Sequence, residues 1–160
     1  MTRQDAGERK QRVLQLLELL DREQEGLERT RSRLFGQTVN ADWVRGMEQH
    51  PEREDLAESF AAKFNRFQDG VGDKLLPRVL DQVGEPIGPF IDNLDRAERL
   101  GWLHSAARWM RARRLRNRLV HEYVPDPAEF ARALQEANEL ADDLLATRKH
   151  LESVFRKHAE

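Results

Sequence analysis

An all-α protein is the expectation for this chain: an up-and-down bundle of about four main helices with short extra ones. Apolar residues recur at steps of three and four over long stretches. No segment alternates apolar and polar residues with a period of two, so no sheet is expected. Charged residues make up 35% of the chain. An average soluble domain has ~25%, and the excess suits long helices with solvated outer faces.

The first long helix is read over residues 8–34, where Val13, Leu16, Leu17, Leu20, Leu27 and Leu34 hold one apolar stripe. Gly36 is its expected stop. Asn40 is placed to cap a short helix carrying Trp43, Val44 and Met47. A second long helix is read over 52–69 from Leu56, Phe60, Phe64 and Phe67, with Val71 continuing the stripe. Gly70, Gly72 and Pro77 then predict a kink or break before Leu75 to Val83 resume the pattern. Gly84-Glu85-Pro86-Ile87-Gly88-Pro89 reads as a loop.

A short helix follows, with Phe90, Leu94, Ala97 and Leu100 inward and Gly101 as its stop. Ser105 can cap the next helix. Pro125 biases Val124 away from helical geometry, so that helix must end near His121 to Tyr123. Asp126-Pro127-Ala128-Glu129 is a restart, with Asp126 as N-cap, Pro127 first in the helix and Glu129 as capping-box partner. Phe130, Leu134, Ala137, Leu140, Ala141, Leu144, Leu145, Leu151 and Val154 give the last helix its stripe.

The 160 residues are read as one helical domain, 1–160, with room for a real core. Cysteine is absent, which excludes disulfides and thiolate metal sites. No apolar stretch approaches the ~20 residues of a membrane span. Met1 to Arg12 is polar, with no apolar signal core. A soluble, cytoplasmic protein that binds no membrane is therefore expected. There is no phosphate-cradling glycine loop, no His-Glu-x-x-His and no Gly-x-Ser-x-Gly. Kinase, metalloprotease and serine-hydrolase classes are disfavoured, and neither metal nor cofactor is expected. His50, His104, His150 and His158 have no ligand spacing and read as surface residues, while Trp102 and Trp109 read as packing residues.

Formal net charge is only −2, so any nucleic-acid surface must come from local segregation of charge. One such segregation stands out. Arg108, Arg111, Arg113, Arg114, Arg116 and Arg118 place six arginines in eleven residues. The run leads into Arg116-Asn117-Arg118-Leu119-Val120-His121-Glu122-Tyr123, an Arg-x4-His-x-Tyr pattern. An arginine that keeps its charge and a histidine that titrates near neutrality suffice to cut a phosphodiester without metal.

On its helix Arg116 shares a face with Trp109, Ala112, Leu119, Val120 and Tyr123, so it is expected on the side that should be buried. A buried guanidinium needs a carboxylate, a facing subunit or a phosphate. Asp142 and Asp143 are the carboxylates considered for it. His121 lies about 140° around an ideal helix from Arg116, so the two do not converge on a straight helix. Either the helix end unwinds before Pro125, or a second chain completes the site across a two-fold axis.

The arginine helix resembles the HEPN superfamily of α-helical bundles, marked by Arg-x4–6-His with a polar residue after the arginine, here Asn117. The longer form, Arg116-x4-His121-x-Tyr123, is similar to the HepT toxins of HEPN–minimal nucleotidyltransferase toxin–antitoxin pairs. The resemblance is sharp over 105–123 and elsewhere covers only helix order and length. It implies a metal-independent endoribonuclease toxin acting as a homodimer on RNA. His121 would be the general acid/base, and Arg116 would hold the scissile phosphate. Asn117 would support the site, and Arg111, Arg113, Arg114 and Arg118 would contact the RNA backbone. Tyr123 matches the position that the partner nucleotidyltransferase antitoxin modifies with AMP. The alternative carried beside it is a non-catalytic partner of a nucleotidyltransferase that binds nucleotide or presents substrate. A third reading is a purely structural helical adaptor. On the plainer readings Arg116 is a structural ion-pair partner, His121 a helix-end histidine, and Arg108, Arg111, Arg114 and Arg118 a solvated face.

Overall fold

A computed structural model describes residues 2–120 and 126–159. Among them the chain is all-α, with no strand. Helix α1 spans Arg3–Phe35, α2 Ala41–Arg45 and α3 Pro51–Asp69. A π-helical turn, Gly70–Leu75, leads directly into α4, Leu76–Gln82. Helix α5 spans Phe90–Arg99, α6 Ala106–Val120 and α7 Pro127–Ala159. Successive long helices pack on one another: α1 on α3, α3 on α6, α6 on α7, and α7 back onto α1 and α3. This is the bundle the apolar stripes call for, with α2 laid across α7 and α5 across α6.

The stripes meet in one connected core. Leu20, Leu27 and Leu34 of α1 face Phe60, Phe64 and Phe67 of α3, and Leu134, Leu140, Leu144, Leu151 and Phe155 of α7 close it. Each such side chain contributes roughly 1.5–3 kcal/mol through its burial. Trp102 and Trp109 belong to this core, as their setting in the sequence suggested, and the four histidines named above are exposed.

Several local stop and start signals act as read, although Leu100, expected inward on α5, is 40% exposed. Asn40 Oδ1 accepts from Trp43 N–H at 3.0 Å, and Asp126 Oδ1 accepts from Ala128 N–H at 2.9 Å. Gly101, at φ +78°, ends α5: its N–H donates to Glu98 O, and Trp102 N–H reaches back to Ala97 O at 2.8 Å. Only a residue free of Cβ strain takes that conformation cheaply. The Glu98 carboxylate then accepts from Ala106 N–H at 2.9 Å, and Ser105 Oγ accepts from Arg108 N–H at 3.2 Å. These two bonds tie the start of α6 to the end of α5. The end of α6 and its geometry at His121 and Tyr123 lie outside the described residues.

At Gly70–Leu75 the outcome differs from the expected kink or break. The chain stays helical, and the turn widens by one residue: Leu76 N–H donates to Val71 O, five residues back. Pro77, which has no N–H to donate, follows at once. The glycines let neighbours approach. A Cβ on Gly70 would lie 2.7 Å from Leu20 Cδ2, and one on Gly72 would lie 2.8 Å from Trp109 Cζ3. The wide turn therefore lets Leu20 of α1 and Trp109 of α6 pack directly on its backbone.

Candidate functional site

Helix α6 buries Ala106, Trp109, Ala112, Leu115 and Leu119 against its neighbours. Two buried polar links hold its register. Gln68 Nε2 of α3 donates to Ala112 O at 3.1 Å, and Trp109 Nε1 donates to Thr147 Oγ1 of α7 at 2.9 Å. A helix advances ~100° per residue, so arginines at positions 108, 111, 113, 114, 116 and 118 cannot share one face. They leave it in distinct directions.

Arg116 reaches back to α3, where its Nη1 and Nη2 grip the two carboxylate oxygens of Asp69, the second at 2.8 Å. This fork-on-fork pairing is the strongest geometry an arginine offers a carboxylate. The expected burial holds only by half: the Arg116 side chain is 37% exposed and that of Asp69 31%. The apolar stem lies beside the buried stripe while the guanidinium stays at the rim. The partner is also not one of those considered. Asp143 is gripped by Arg108 at 2.8 Å through both oxygens, and Asp142 by Arg31 at 2.8 Å. That pairing is reflected in Arg108, whose pKa is raised chiefly by its hydrogen bonds to Asp143 and then by the carboxylate charge.

Arg113 runs to the same side as Arg116. It pairs with Asp73 in the π turn, and its guanidinium lies 3.7 Å above the Phe90 ring. Two ion pairs, Arg116–Asp69 and Arg113–Asp73, thus latch α6 to the last residue of α3 and to the middle of the glycine-containing turn. Asp69 and Asp73 are the residues that sequence reasoning passed over. Their signal was present: two acids four residues apart, bracketing Gly70 and Gly72.

The remaining arginines gather on the other flank. Arg111 pairs with Glu136 of α7 at 2.6 Å, and Arg118 approaches the same carboxylate at 4.0 Å. Arg114 stands between them, exposed, in no ion pair with a described residue. These three arginines, Leu115 and Glu136 line a depression of about 140 Å³. Of the four arginines expected on RNA, Arg111, Arg114 and Arg118 therefore share a surface with excess positive charge, and Arg113 does not. Asn117 is exposed beside Arg116. His121 and Tyr123 lie outside the described residues, so the meeting of Arg116 with His121 is not part of the described geometry.

Near Asp69 sits Glu23 of α1. Burial raises its carboxyl pKa above the ordinary value, Arg66 and Lys74 oppose that shift, and Asp69 adds to it. Among the described residues no group of three His, Cys, Asp or Glu could hold a metal ion. No described helix is long and apolar enough to cross a membrane. The class that the fold defines is an all-α helical bundle with an arginine-rich helix latched to a π turn. No protein-family model, no curated protein and no solved structure matches the chain.

Proposed function

We propose that this chain is a HEPN-type, metal-independent RNA endonuclease of the HepT kind, acting in the cytoplasm as a homodimer and restrained by a nucleotidyltransferase antitoxin. The observation that carries the reading is the setting of Arg116. Its guanidinium has five N–H donors, and Asp69 engages only one face of the fork. The others remain for a phosphate at a rim where Asn117 is exposed, and the Arg111–Arg114–Arg118 flank adds positive charge on the opposite side of the same helix. In this sequence His121 follows five residues later.

The chemistry needs only these groups. His121 takes the proton of the RNA 2′-hydroxyl, and the 2′-oxygen attacks the adjacent phosphorus. The bond to the 5′-oxygen breaks as that oxygen takes the proton back from the protonated His121. The products are a 2′,3′-cyclic phosphate and a 5′-hydroxyl end. Arg116 holds the phosphate and the extra negative charge that builds on it. Asp69 fixes the plane of the guanidinium so that no reorientation is needed during the step. AMP on Tyr123 would place a bulky anion against these arginines and close the site.

Purified protein is expected to cut single-stranded RNA in the presence of a chelator, and His121→Ala is expected to abolish the cleavage. Equal cleavage by that variant would sink the mechanism. A site shared across a two-fold axis has a further signature. Mixing Arg116→Ala with His121→Ala subunits should restore about a quarter of wild-type activity, because half of the dimers then carry one intact composite site. No recovery on mixing counts against the shared site.

One observation favours a second reading. The Arg116 charge is already met by Asp69, as a non-catalytic nucleotide-binding partner of a nucleotidyltransferase would also allow. That reading requires saturable nucleotide binding, lost in Arg116→Ala, with no cleavage of any RNA.

A further inference from the structure

A second concentration of positive charge lies away from α6, in the groove between α1 and α3. Arg29 and Arg33 stand one turn apart on α1, and Lys63 faces them from α3. With Thr30, Leu56 and Ser59, and with Glu52 and Asp55 at one end, they line a depression of about 290 Å³. None of the three cations forms an ion pair with a described residue, whereas Arg31, Arg108, Arg111, Arg113, Arg116 and Arg148 each do. Lys63 Nζ donates to the buried Thr30 hydroxyl at 2.6 Å, which occupies one of its three donors. Its stem runs past Gly26, where a Cβ would lie in ordinary contact with Lys63 Cε at 3.7 Å.

Like charges one helical turn apart oppose helix formation, and a third cation brought against them from a facing helix adds to the repulsion. The effect is visible on Lys63. Its pKa is lowered first by partial burial of the ammonium and then by the charges of Arg29, Arg66 and Arg33. The acids of the groove do not relieve this. Asp55 and Glu52 lie on the first turns of α3, about 12 and 16 Å along the axis from Lys63 at ~1.5 Å per residue. Neither is within ion-pair distance of the three cations. Two guanidinium forks, an ammonium and a serine hydroxyl therefore line one open-sided depression, none of the three cations in an ion pair with a described residue, so the cationic side keeps an excess over the two acids at its α3 end.

We infer that the α1–α3 groove is a phosphate-binding site, in which Arg29, Arg33 and Lys63 surround one phosphate group and Ser59 adds a hydroxyl donor. A tetrahedral anion with several acceptor oxygens matches this donor set better than a planar carboxylate, and the open side admits whatever the phosphate is attached to. The phosphate belongs either to an RNA backbone or to a small phosphate compound. The site rests on its own residues and does not depend on the reading of α6.

The test uses the full chain and the double variant Arg29→Gln/Arg33→Gln. Both positions are exposed, so the fold should persist, and circular dichroism verifies it. Binding of a short fluorescein-labelled single-stranded RNA is followed by anisotropy over a series of salt concentrations. Inorganic pyrophosphate is titrated separately, with Tm as the readout, since a ligand of the native state alone raises Tm. If the phosphate is that of RNA, the slope of log affinity against log salt should shrink by about 0.7 for each phosphate that the variant no longer neutralises. If it is that of a small compound, pyrophosphate should raise the Tm of the wild type and not of the variant, with the RNA slope unchanged. An unchanged salt slope together with equal pyrophosphate responses in the two proteins overturns the site. RNA cleavage is not read in either arm, so a failure here is separate from a failure of the nuclease reading.

Discussion

Arg116→Gln should, on the proposed nuclease reading, lower the rate of RNA cleavage by about a hundred- to a thousand-fold, the usual loss when one donor to transition-state charge is removed. The loss should fall on kcat more than on KM. Arg111, Arg114 and Arg118 still attract the backbone, while the charge that develops on the phosphorus oxygens loses its fixed donor. Stability should change little. Both side chains of the Arg116–Asp69 pair are about a third exposed, and solvent screens such pairs to about 0–1 kcal/mol. Single-turnover cleavage measured beside thermal melting checks both parts. The structural-pair reading predicts the reverse, a change in melting with cleavage intact, so the two readings part on one variant. Arg116→Lys sharpens the contrast. It keeps the charge but cannot grip both oxygens of Asp69, so substantial loss in that variant would show that orientation matters as well as charge.

Gly72→Ala should destabilise the bundle by about 1–3 kcal/mol, the range for forcing an extra carbon into a close-packed site. The added Cβ would sit 2.8 Å from Trp109 Cζ3 and 3.0 Å from Phe90 Cε2. Neither ring is free to yield. Trp109 is 1% exposed and its Nε1 is bonded to Thr147, while Phe90 lies under the Arg113 guanidinium. Trp109→Ala should cost about 3–5 kcal/mol by opening a cavity at the same place. The two changes should not add. In the Trp109→Ala background the Cβ added at position 72 no longer meets the indole and only its 3.0 Å approach to Phe90 remains, so its penalty should shrink, leaving a coupling energy of about 0.5–3 kcal/mol. Denaturant unfolding of the four proteins measures this cycle. Full additivity would mean that the π turn and α6 do not pack through Gly72 and Trp109. Because the same turn carries Asp73 and directly follows Asp69, Gly72→Ala should also disturb the plane of Arg116 and depress cleavage beyond its effect on the folded fraction.

Much of the fold was legible because its signals are short-range. The stripe from Val13 to Leu34, the Asn40 cap, the Gly101 stop and the Asp126-Pro127 restart each act over one or two turns, and each is found where the residues place it. The π turn was legible only as a disturbance. Two glycines and a proline say that a regular helix will not continue; whether it breaks or widens depends on what packs against it. Leu20 and Trp109, 50 and 37 residues away in the chain, favour widening by filling the space that side chains at 70 and 72 would need. Arg116 shows the same limit. Its place beside an apolar stripe could be read, and so could its need for a partner. The partner could not, since Asp142, Asp143 and Asp69 are equivalent on paper and differ only in where the helices carry them.

The sequence by itself determined an all-α bundle, the order and approximate ends of its helices, and the one helix in which arginine is concentrated. Periodicity and capping are local, and local chemistry survives being written in one dimension. Only the tertiary structure decided how that charge is distributed: Arg113 and Arg116 paired at the π turn, Arg111, Arg114 and Arg118 left in excess over Glu136, and Arg29, Arg33 and Lys63 brought together from two helices without an ion pair to a described residue. Electrostatic energy depends on distance through space, and helix packing sets that distance between residues far apart in the chain.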